Sequence, residues 1–111
     1  MKPIPRKFLI HSVKHKTGQI EDAWGHVAWA NTTAVSFVRI EPASKLALNK
    51  DNQEVQLSLL MFHDSVNSSP KNEIYSLGDA IVFNGAEYKI EAIDTLYDIG
   101  QRAHHLELGL I

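Results

Sequence analysis

The sequence predicts a mainly-β protein: a small antiparallel β-barrel or sandwich of about six or seven strands, with at most one short helix and long loops. Apolar residues recur mostly at every second position, and an Asn-Gly pair separates two β-rich runs. The 111-residue chain has the length of a single domain. We therefore interpret residues 1–111 as one barrel domain that begins with a basic amino-terminal arm, residues 1–7.

The first half of the chain contains two predicted strands, residues 8–14 and 33–40, with residues 17–25 as part of the connection between them. Within the second strand the apolar residues change parity. This change predicts a β-bulge or burial on both faces, because successive side chains of a regular strand alternate. The residues that carry the change are Val35 and Phe37, followed by Val38 and Ile40.

The middle of the chain contains the one candidate helix, Pro42–Leu48, which begins with proline and is rich in helix formers. Residues 49–52 are predicted as a turn. A third strand is expected over residues 54–63, because four apolar side chains share one face: Val55, Leu57, Leu59 and Met61. Residues 64–72 are the most loop-like stretch of the sequence.

The last third is predicted as a hairpin and a final strand. Residues 79–83 and 86–92 flank Asn84-Gly85, and both turn residues tolerate the positive φ of a type I′ turn. The alternation then returns over residues 104–111, so we expect the carboxyl-terminal end to be docked as a strand.

The charge distribution is uneven along the chain. Residues 1–20 contain five basic and no acidic residues, whereas the rest of the chain is acidic and the formal net charge is −2. This pattern does not resemble a nucleic-acid domain, in which basic groups usually cover a whole face. The basic arm is either a solvated terminus or a contact for phosphate or an acidic partner.

Several classes of protein are disfavoured by composition. The chain has no cysteine, so it has no disulfide framework, thiolate zinc site or cysteine nucleophile. The longest nearly unbroken apolar run, residues 57–62, is far short of the ~20 residues of a spanning helix. The apolar part of the first ten residues is too short for a signal peptide, so we expect a soluble intracellular domain with no membrane contact.

Six histidines raise the question of a metal site. His104 and His105 are adjacent on a predicted strand, so they are expected to point to opposite faces. His11 and His15 share a face only on a helix, and no His-Glu-x-x-His pattern occurs. The interpretation is scattered surface and edge histidines, with no metal and no cofactor.

No catalytic site is predicted either. His63-Asp64-Ser65 has the three residue types of a catalytic triad, but triad members come from separate elements that converge in space. The sequence contains no nucleophile elbow and no phosphate-binding loop. We therefore expect a protein that is not an enzyme and has no small-molecule substrate.

Trp24 and Trp29, with a glycine among the four residues between them, have two open interpretations. One or both cover the core at a hairpin, or they anchor an interface, since tryptophan is enriched among binding hot spots. Trp24 is expected to be the more exposed of the two because it lies beside the acidic turn.

Four stretches of the sequence resemble the minor capsid proteins of tailed phages and prophages of Gram-positive bacteria. They are residues 1–13 (MKPIPRKFLIHSV), 54–58 (EVQLS), 66–70 (VNSSP) and 104–110 (HHLELGL). Residues 78–90 (GDAIVFNGAEYKI) also resemble a hairpin of the head-completion, or stopper, proteins of long-tailed phages. The first resemblance covers nearly the whole chain.

The resemblance implies a virion structural protein without enzymatic activity. Such proteins resemble ring-forming connectors below the portal that retain the genome and dock the tail. The implied partners are further copies of the chain, portal or adaptor proteins, tail proteins and, non-specifically, packaged DNA. The implied location is the head-tail junction of the virion, after assembly in the bacterial host cytoplasm.

Candidate interface residues follow from charge and turn composition. We expect the basic arm and the 66–71 loop to order only in the assembled particle, so that deletion of the loop spares the fold. With Trp24 as a possible anchor, the candidate set is Lys2, Arg6, Lys7, Trp24, Val66, Asn67, Ser68, Ser69, Pro70 and Lys71.

Two rival functions fit the same small barrel. An OB-like nucleic-acid module would bind single strands in a salt-sensitive way, although the negative net charge disfavours it. A small hydrolase that uses the histidines would contain metal when purified.

Overall fold

The computed structural model describes residues 2–44, 46–48, 51–99 and 103–111. A 3₁₀ turn at Arg6–Phe8 precedes the first strand. The strands are β1 (His11–Glu21), β2 (Val27–Pro42), β3 (Leu46–Leu48), β4 (Glu54–Gln56), β5 (Leu59–Asp64), β6 (Ala80–Phe83), β7 (Ala86–Tyr97) and β8 (Ala103–Leu110).

Six of these strands form a closed barrel in the order β1-β2-β5-β8-β7-β6, and every neighbouring pair is antiparallel. The ring closes where Lys14–Lys16 of β1 pair with Ala80–Val82 of β6. β3 and β4 form a separate two-stranded ribbon. The prediction of a mainly-β antiparallel fold is confirmed, and of the two architectures the chain adopts the barrel.

The interior of the barrel is filled by side chains from all six of its strands, together with one aromatic ring from the segment between β5 and β6. This arrangement follows from the period-two alternation, because every second side chain of a barrel strand points inward. The buried core consists of Val13, Val35, Val38, Ile40, Met61, Tyr75, Ile81, Ile90, Leu108 and Leu110.

The predicted bulge in the second strand is confirmed. Between His11 and Val13, β1 advances by two residues while its partners on β2 run from Val38 to Val35, a step of three. Phe37 lies in this step with a φ of 56°, in the left-handed region. The extra residue turns Phe37 out to 39% exposure and leaves Val35 and Val38 both buried.

The outer half of the β1–β2 hairpin is a two-stranded ribbon. Within the part of the chain that the structure describes, β1 beyond Lys16 pairs only with β2. Before Val38, β2 pairs only with β1, apart from a bridge at Ser36. The ribbon therefore projects from the barrel, in a molecule whose principal extents are 48 × 29 × 24 Å.

The predicted helix over Pro42–Leu48 is wrong for the described residues of that stretch. Pro42 ends β2, and Leu46–Leu48 form β3, which pairs with β4. Helix propensity is a weak preference that tertiary pairing overrides. Lys45 lies outside the described residues, as do Asn49 and Lys50 of the predicted 49–52 turn.

Three predicted boundaries also require correction. Residues 8–10 are not part of the first strand, which begins at His11, and the expected connector 17–25 is strand as far as Glu21. Residues 17–21 pair with β2 outside the barrel, and a strand that covers no core can contain polar residues. The predicted strand 54–63 is two strands, interrupted at Leu57 and Ser58, where the amide of Ser58 donates to the carbonyl of Leu110 over 2.7 Å.

The β6–β7 hairpin is confirmed with its turn at Asn84-Gly85. Ala80 to Phe83 pair with Lys89 to Ala86, and the turn residues have φ values of 50° and 78°. Both values lie in the left-handed region that asparagine and glycine tolerate. A Cβ atom added at Gly85 would meet nothing within 4 Å, so backbone conformation alone selects glycine there.

Replacement of Gly85 by alanine should therefore lower the free energy of unfolding by about 1 kcal/mol, the cost of a left-handed alanine. Gly85→Asn is the matched control, because asparagine adopts this conformation more readily. Urea denaturation followed by circular dichroism measures both. An alanine variant as stable as the parent, or an asparagine variant weaker than the alanine one, would contradict this account of the turn.

Candidate functional site

The amino-terminal segment, residues 2–10, is docked on the barrel. The amide of Ile4 donates to the carboxylate of Asp64 over 2.9 Å, and the side-chain amide of Asn67 donates to the carbonyl of Ile4 over 2.8 Å. The carbonyl of Lys2 accepts a hydrogen bond from Nε2 of His104 over 2.6 Å. Three contacts from β5, the following loop and β8 therefore fix the path of this segment.

Asp64 organises the loop that follows β5. Its carboxylate accepts hydrogen bonds from the amides of Val66 at 3.0 Å and Asn67 at 2.8 Å, in addition to the amide of Ile4. The hydroxyl of Ser68 donates to the carbonyl of Phe37 and lies 2.8 Å from the amide of Asp64, from which it accepts. Asp64 is fully buried, and backbone amide donors are the partners that a buried carboxylate requires.

The same loop joins β2. Ser36 and Ser69 exchange two backbone hydrogen bonds of 2.8 and 3.0 Å, and Ser68 is 1% exposed. The Ser69-Pro70 peptide bond is cis. Residues 64–69 are thus part of the packed body of a single chain. These contacts form within a single chain, which disfavours the expectation that the arm and the loop order only in the assembled particle. The effect of deleting residues 66–71 stays a prediction.

The candidate interface residues fall into two groups. The amino-terminal segment reaches the 66–69 part of the loop through Ile4, which contacts Asn67, and through Arg6, which lies over Phe37, the residue that Ser68 contacts. Lys2 contacts His104 instead, and Lys7 lies over Phe8. Trp24 lies elsewhere, in the turn at the far end of the β1–β2 hairpin. Within the loop, Val66, Ser69 and Lys71 are exposed, Asn67 and Pro70 are half-buried and Ser68 is buried. Their role as an interface remains a prediction.

Arg6 and Lys7 are associated with exposed aromatic rings. The guanidinium of Arg6 lies 4.7 Å from the centre of the Phe37 ring, and the ammonium of Lys7 lies 5.2 Å from the centre of the Phe8 ring. Phe8 and Ile10 are 48% and 66% exposed. We call this surface, formed by Lys2, Arg6, Lys7, Phe8, Ile10 and Phe37, the basic patch.

The opposite end of the hairpin is acidic and apolar. Its turn is built by Asp22, whose carboxylate accepts from the amides of Trp24 at 2.8 Å and His26 at 2.9 Å. The hydrogen bond from the His26 amide is the main cause that lowers the pKa of Asp22, so this side chain stays ionised. Trp24 is 85% exposed, which confirms that it is the more exposed tryptophan, since Trp29 is half-buried.

We call residues 19–27 the hairpin tip. Besides Trp24, it exposes Ile20 and Val27, which are 55% and 50% accessible. Its formal charge comes from Glu21 and Asp22, because residues 17–38 contain no lysine or arginine. An exposed tryptophan flanked by exposed aliphatic residues is typical of an interaction surface.

A second polar cluster lies inside the barrel around His15, which is 1% exposed. Its Nδ1 is 2.8 Å from a carboxylate oxygen of Glu73, and its Nε2 is 2.8 Å from one of Asp79. The hydroxyl of Thr17 donates to the other oxygen of Asp79 over 3.1 Å. Ionised carboxylates only accept, so either both ring nitrogens of His15 carry protons or one carboxyl group is protonated.

Tyr75 connects this cluster to a second buried histidine. Its hydroxyl is 2.9 Å from Nδ1 of His63, and its ring packs against the rings of His15 and His63. Burial raises the pKa of the Tyr75 hydroxyl, with the charge of Glu73 acting in the same direction. Nε2 of His63 is buried and has no hydrogen-bond partner among the residues that the structure describes.

The interpretation of the histidines as surface and edge residues is wrong for His15 and His63, which are both buried. The sequence does contain a signal for this. His15 keeps the parity of Val13 on β1, and His63 keeps that of Met61 on β5, so both rings belong to the inward-facing sets. Periodicity read only from apolar residues misses them.

The prediction that His104 and His105 diverge is also wrong, since their Nδ1 atoms are 2.7 Å apart. The pairing of β7 with β8 is irregular between Leu96 and Tyr97, opposite this pair, so strict alternation fails there. Nε2 of His105 faces the carboxylate of Glu107 at 3.6 Å.

Within the described ranges no group of three or more histidine, cysteine, aspartate or glutamate side chains is placed to hold a metal ion. His15 is paired with Glu73 and Asp79, His63 with the hydroxyl of Tyr75, and Asp64 with backbone amides. Among the residues that the structure describes, no helix has the length and apolar character needed to cross a membrane.

Comparison with known proteins gives one result. A family model described as minor capsid protein matches residues 5–110, which is nearly the whole chain. No curated protein is significantly similar to this sequence.

Asp64→Ala should destabilise the protein by about 3 kcal/mol, because it leaves several buried or partly buried amides without an acceptor. Hydrogen exchange at the amides of Ile4 and Asn67 should become faster as the amino-terminal segment detaches. Glu54→Ala, at an exposed position, is the matched control and should change stability by less than about 0.5 kcal/mol. Equal stability losses in the two variants would contradict the role given to Asp64.

His63 should remain neutral to a lower pH than an ordinary histidine. Burial lowers the pKa of its imidazole from the usual 6.5, and the Lys71 carbonyl is the largest opposing influence. Below about pH 6.5 the unfolded chain binds a proton at this residue and the folded chain does not, so stability falls with pH until the folded-state pKa is reached.

NMR titration of the histidine ring signals measures this directly, with His63→Gln to identify the signal. The same variant should show a weaker loss of stability between neutral and mildly acidic pH than the parent. A His63 ring that titrates at or above its usual pKa would overturn the prediction.

Proposed function

Because the chain belongs to the minor capsid protein family, we propose that it is a head-tail connector of the stopper type, which assembles as an oligomeric ring between portal and tail. Family membership gives the coarser part of this statement: a structural protein of the phage capsid, located in the virion. A structural family also favours a role without catalysis. The ring, the position at the head-tail junction and origin from a phage of Gram-positive bacteria belong to the proposal.

The distribution of exposed apolar residues supports a connector. The barrel closes on itself and buries its core, so hydrophobic surface remains mainly at its extensions. Among the described residues, the exposed apolar side chains include Phe8, Ile10 and Phe37 at the basic patch, Ile20, Trp24 and Val27 at the hairpin tip, Leu46 and Leu48 on β3, Ile74 and Leu77 before β6, and Tyr97 and Ile99 at and beyond the end of β7. Exposed apolar groups at separate projections suit a protein with several neighbours.

The outer ribbon of β1 and β2 offers a further means of contact. Among the described residues, its two outer strand edges have no ladder partner over most of residues 17–34. This stretch contains no proline and only one charged residue besides Asp22. Unprotected edges of this kind accept a strand from another chain. The proposed partners are other copies of the chain and the portal or adaptor and tail proteins.

An OB-like nucleic-acid module remains the alternative. OB-folds are five-stranded barrels, whereas six strands form the ring described above. The net charge of −2 also disfavours a general affinity for nucleic acid and limits the proposed DNA contact to a non-specific one. A flat titration with single-stranded DNA at low salt would remove this alternative, and tight, salt-sensitive binding would favour it.

The decisive experiment removes the protein from phage particles. Particles made without it should lack tails or lose their packaged DNA, as seen by electron microscopy, and expression of the protein from a plasmid should restore them. Mass spectrometry of purified wild-type virions should detect it as a low-copy component. Filled, tailed and infectious particles in its absence would overturn the connector role.

A further inference from the structure

The two ends of the β1–β2 hairpin carry opposite charges. The basic patch at the base includes Lys2, Arg6 and Lys7, and residues 1–20 contain no acidic residue. Arg39 lies near this end but is paired with Glu41 over 2.8 Å, so the two cancel. The hairpin tip carries Glu21 and Asp22, and residues 17–38 contain no lysine or arginine, although the Asp22 carboxylate lies 3.0 Å from Nδ1 of His26.

Each charged end also exposes apolar side chains. Trp24 is the most accessible residue of the tip at 85%, and Phe8 and Ile10 are accessible at the patch. The cations of Arg6 and Lys7 are already held over aromatic rings, so a tryptophan from outside would meet both aromatic and cationic groups. The two surfaces are complementary in charge and alike in their apolar content.

One chain cannot bring its own two ends together. Residues 11–21 form a continuous strand, which at ~3.3 Å per residue separates base and tip by roughly 30 Å. Pairing of β1 with β2 along this length keeps the hairpin extended. Complementary surfaces at opposite ends of one extended element favour contact between different copies.

We infer that copies of this protein associate head to tail, with the acidic hairpin tip of one copy, led by Trp24, docked on the basic patch of the next. The contact deepens the proposed function, on which it rests, by naming the surfaces through which neighbouring copies of the connector meet. A contact between two different surfaces is heterologous, and it generates a ring when its rotation closes.

We assign the basic patch to a second copy of the chain rather than to DNA, because a second copy accounts both for the basic patch and for the acidic hairpin tip. DNA would neutralise the basic patch but would be repelled by the tip, leaving Trp24 without a role. In the head-to-tail contact the acidic tip of one copy faces the basic patch of the next. Association of this kind should weaken at high salt, since the charges are solvent-exposed.

A charge-exchange experiment tests the contact. Lys2→Glu with Lys7→Glu reverses the sign of the patch, and Gln19→Lys with Glu21→Lys reverses that of the tip. These positions are exposed, and the changes leave the Asp22 turn and the Arg6–Phe37 contact intact. Sedimentation velocity at low and high salt measures self-association of the full chain.

The parent should self-associate at low salt and less at high salt. Each reversed variant should be monomeric alone, because both of its ends then have the same sign. An equimolar mixture of the two should associate, as should one chain carrying all four changes, since opposite signs are restored. Rescue by mixing also shows that both variants are folded.

Two further variants separate the contributions. Trp24→Ala should weaken association about tenfold or more without changing its salt dependence, as for a buried aromatic hot spot. Lys14→Glu with Glu54→Lys, at exposed positions outside the hairpin tip and the basic patch, is the matched control and should associate like the parent.

Several results would overturn the inference. They are a parent that stays monomeric at millimolar concentration and low salt, reversed variants that associate like the parent, or a mixture that does not. Loss of DNA binding in the patch variant with unchanged self-association would assign the patch to DNA instead. Reversed variants that enter particles and support tail attachment would refute this contact while leaving the connector role intact.

Discussion

Six strands form a ring in this protein because β1 pairs on both sides, with β2 on one edge and with β6 on the other. The pairing with β6 is short, Lys14–Lys16 with Ala80–Val82, yet it closes the barrel. His15 lies at the centre of this seam, opposite Ile81, and its ring contacts Asp79, the residue just before β6. A buried polar contact therefore accompanies closure at the point where the two ends of the sheet meet.

That contact also orders the chain between β5 and β6. Glu73 and Asp79 both bond to His15, and Tyr75 between them inserts its ring into the core. Buried charged and polar groups are costly unless paired, so the position of this segment follows from the need to satisfy them. The barrel interior thus contains apolar side chains from the strands, together with Glu73, Tyr75 and Asp79 from the segment between β5 and β6.

The features that sequence predicts well here are those with a local physical cause. The Asn84-Gly85 turn, the strands around it and the parity change before Val38 all reflect backbone geometry or alternation within a few residues. The prediction of a helix over Pro42–Leu48 is wrong because Leu46–Leu48 pair with β4, and the residues of that stretch alone do not indicate this pairing. Charge and turn composition also predict part of the two candidate surfaces, namely Lys2, Arg6 and Lys7 of the basic patch and Trp24 of the hairpin tip.

Other features arise only when distant residues meet. The Ile4–Asp64 contact joins residues 60 positions apart, and the His15 cluster joins positions separated by as many as 64. No motif spacing predicts either one. Burial of an ionisable residue could be inferred only by asking whether it shares the parity of neighbouring apolar residues, as His15 does with Val13.

Both tryptophans of the chain lie on the β1–β2 hairpin, and neither belongs to the core cluster. Intrinsic tryptophan fluorescence of this protein therefore reports the surroundings of the hairpin rather than the packing of the barrel. The exposed indole of Trp24 should emit at long wavelength in the folded chain, so unfolding of the core produces only a small spectral change there. A shift of that emission to shorter wavelength signals instead that something has covered the turn.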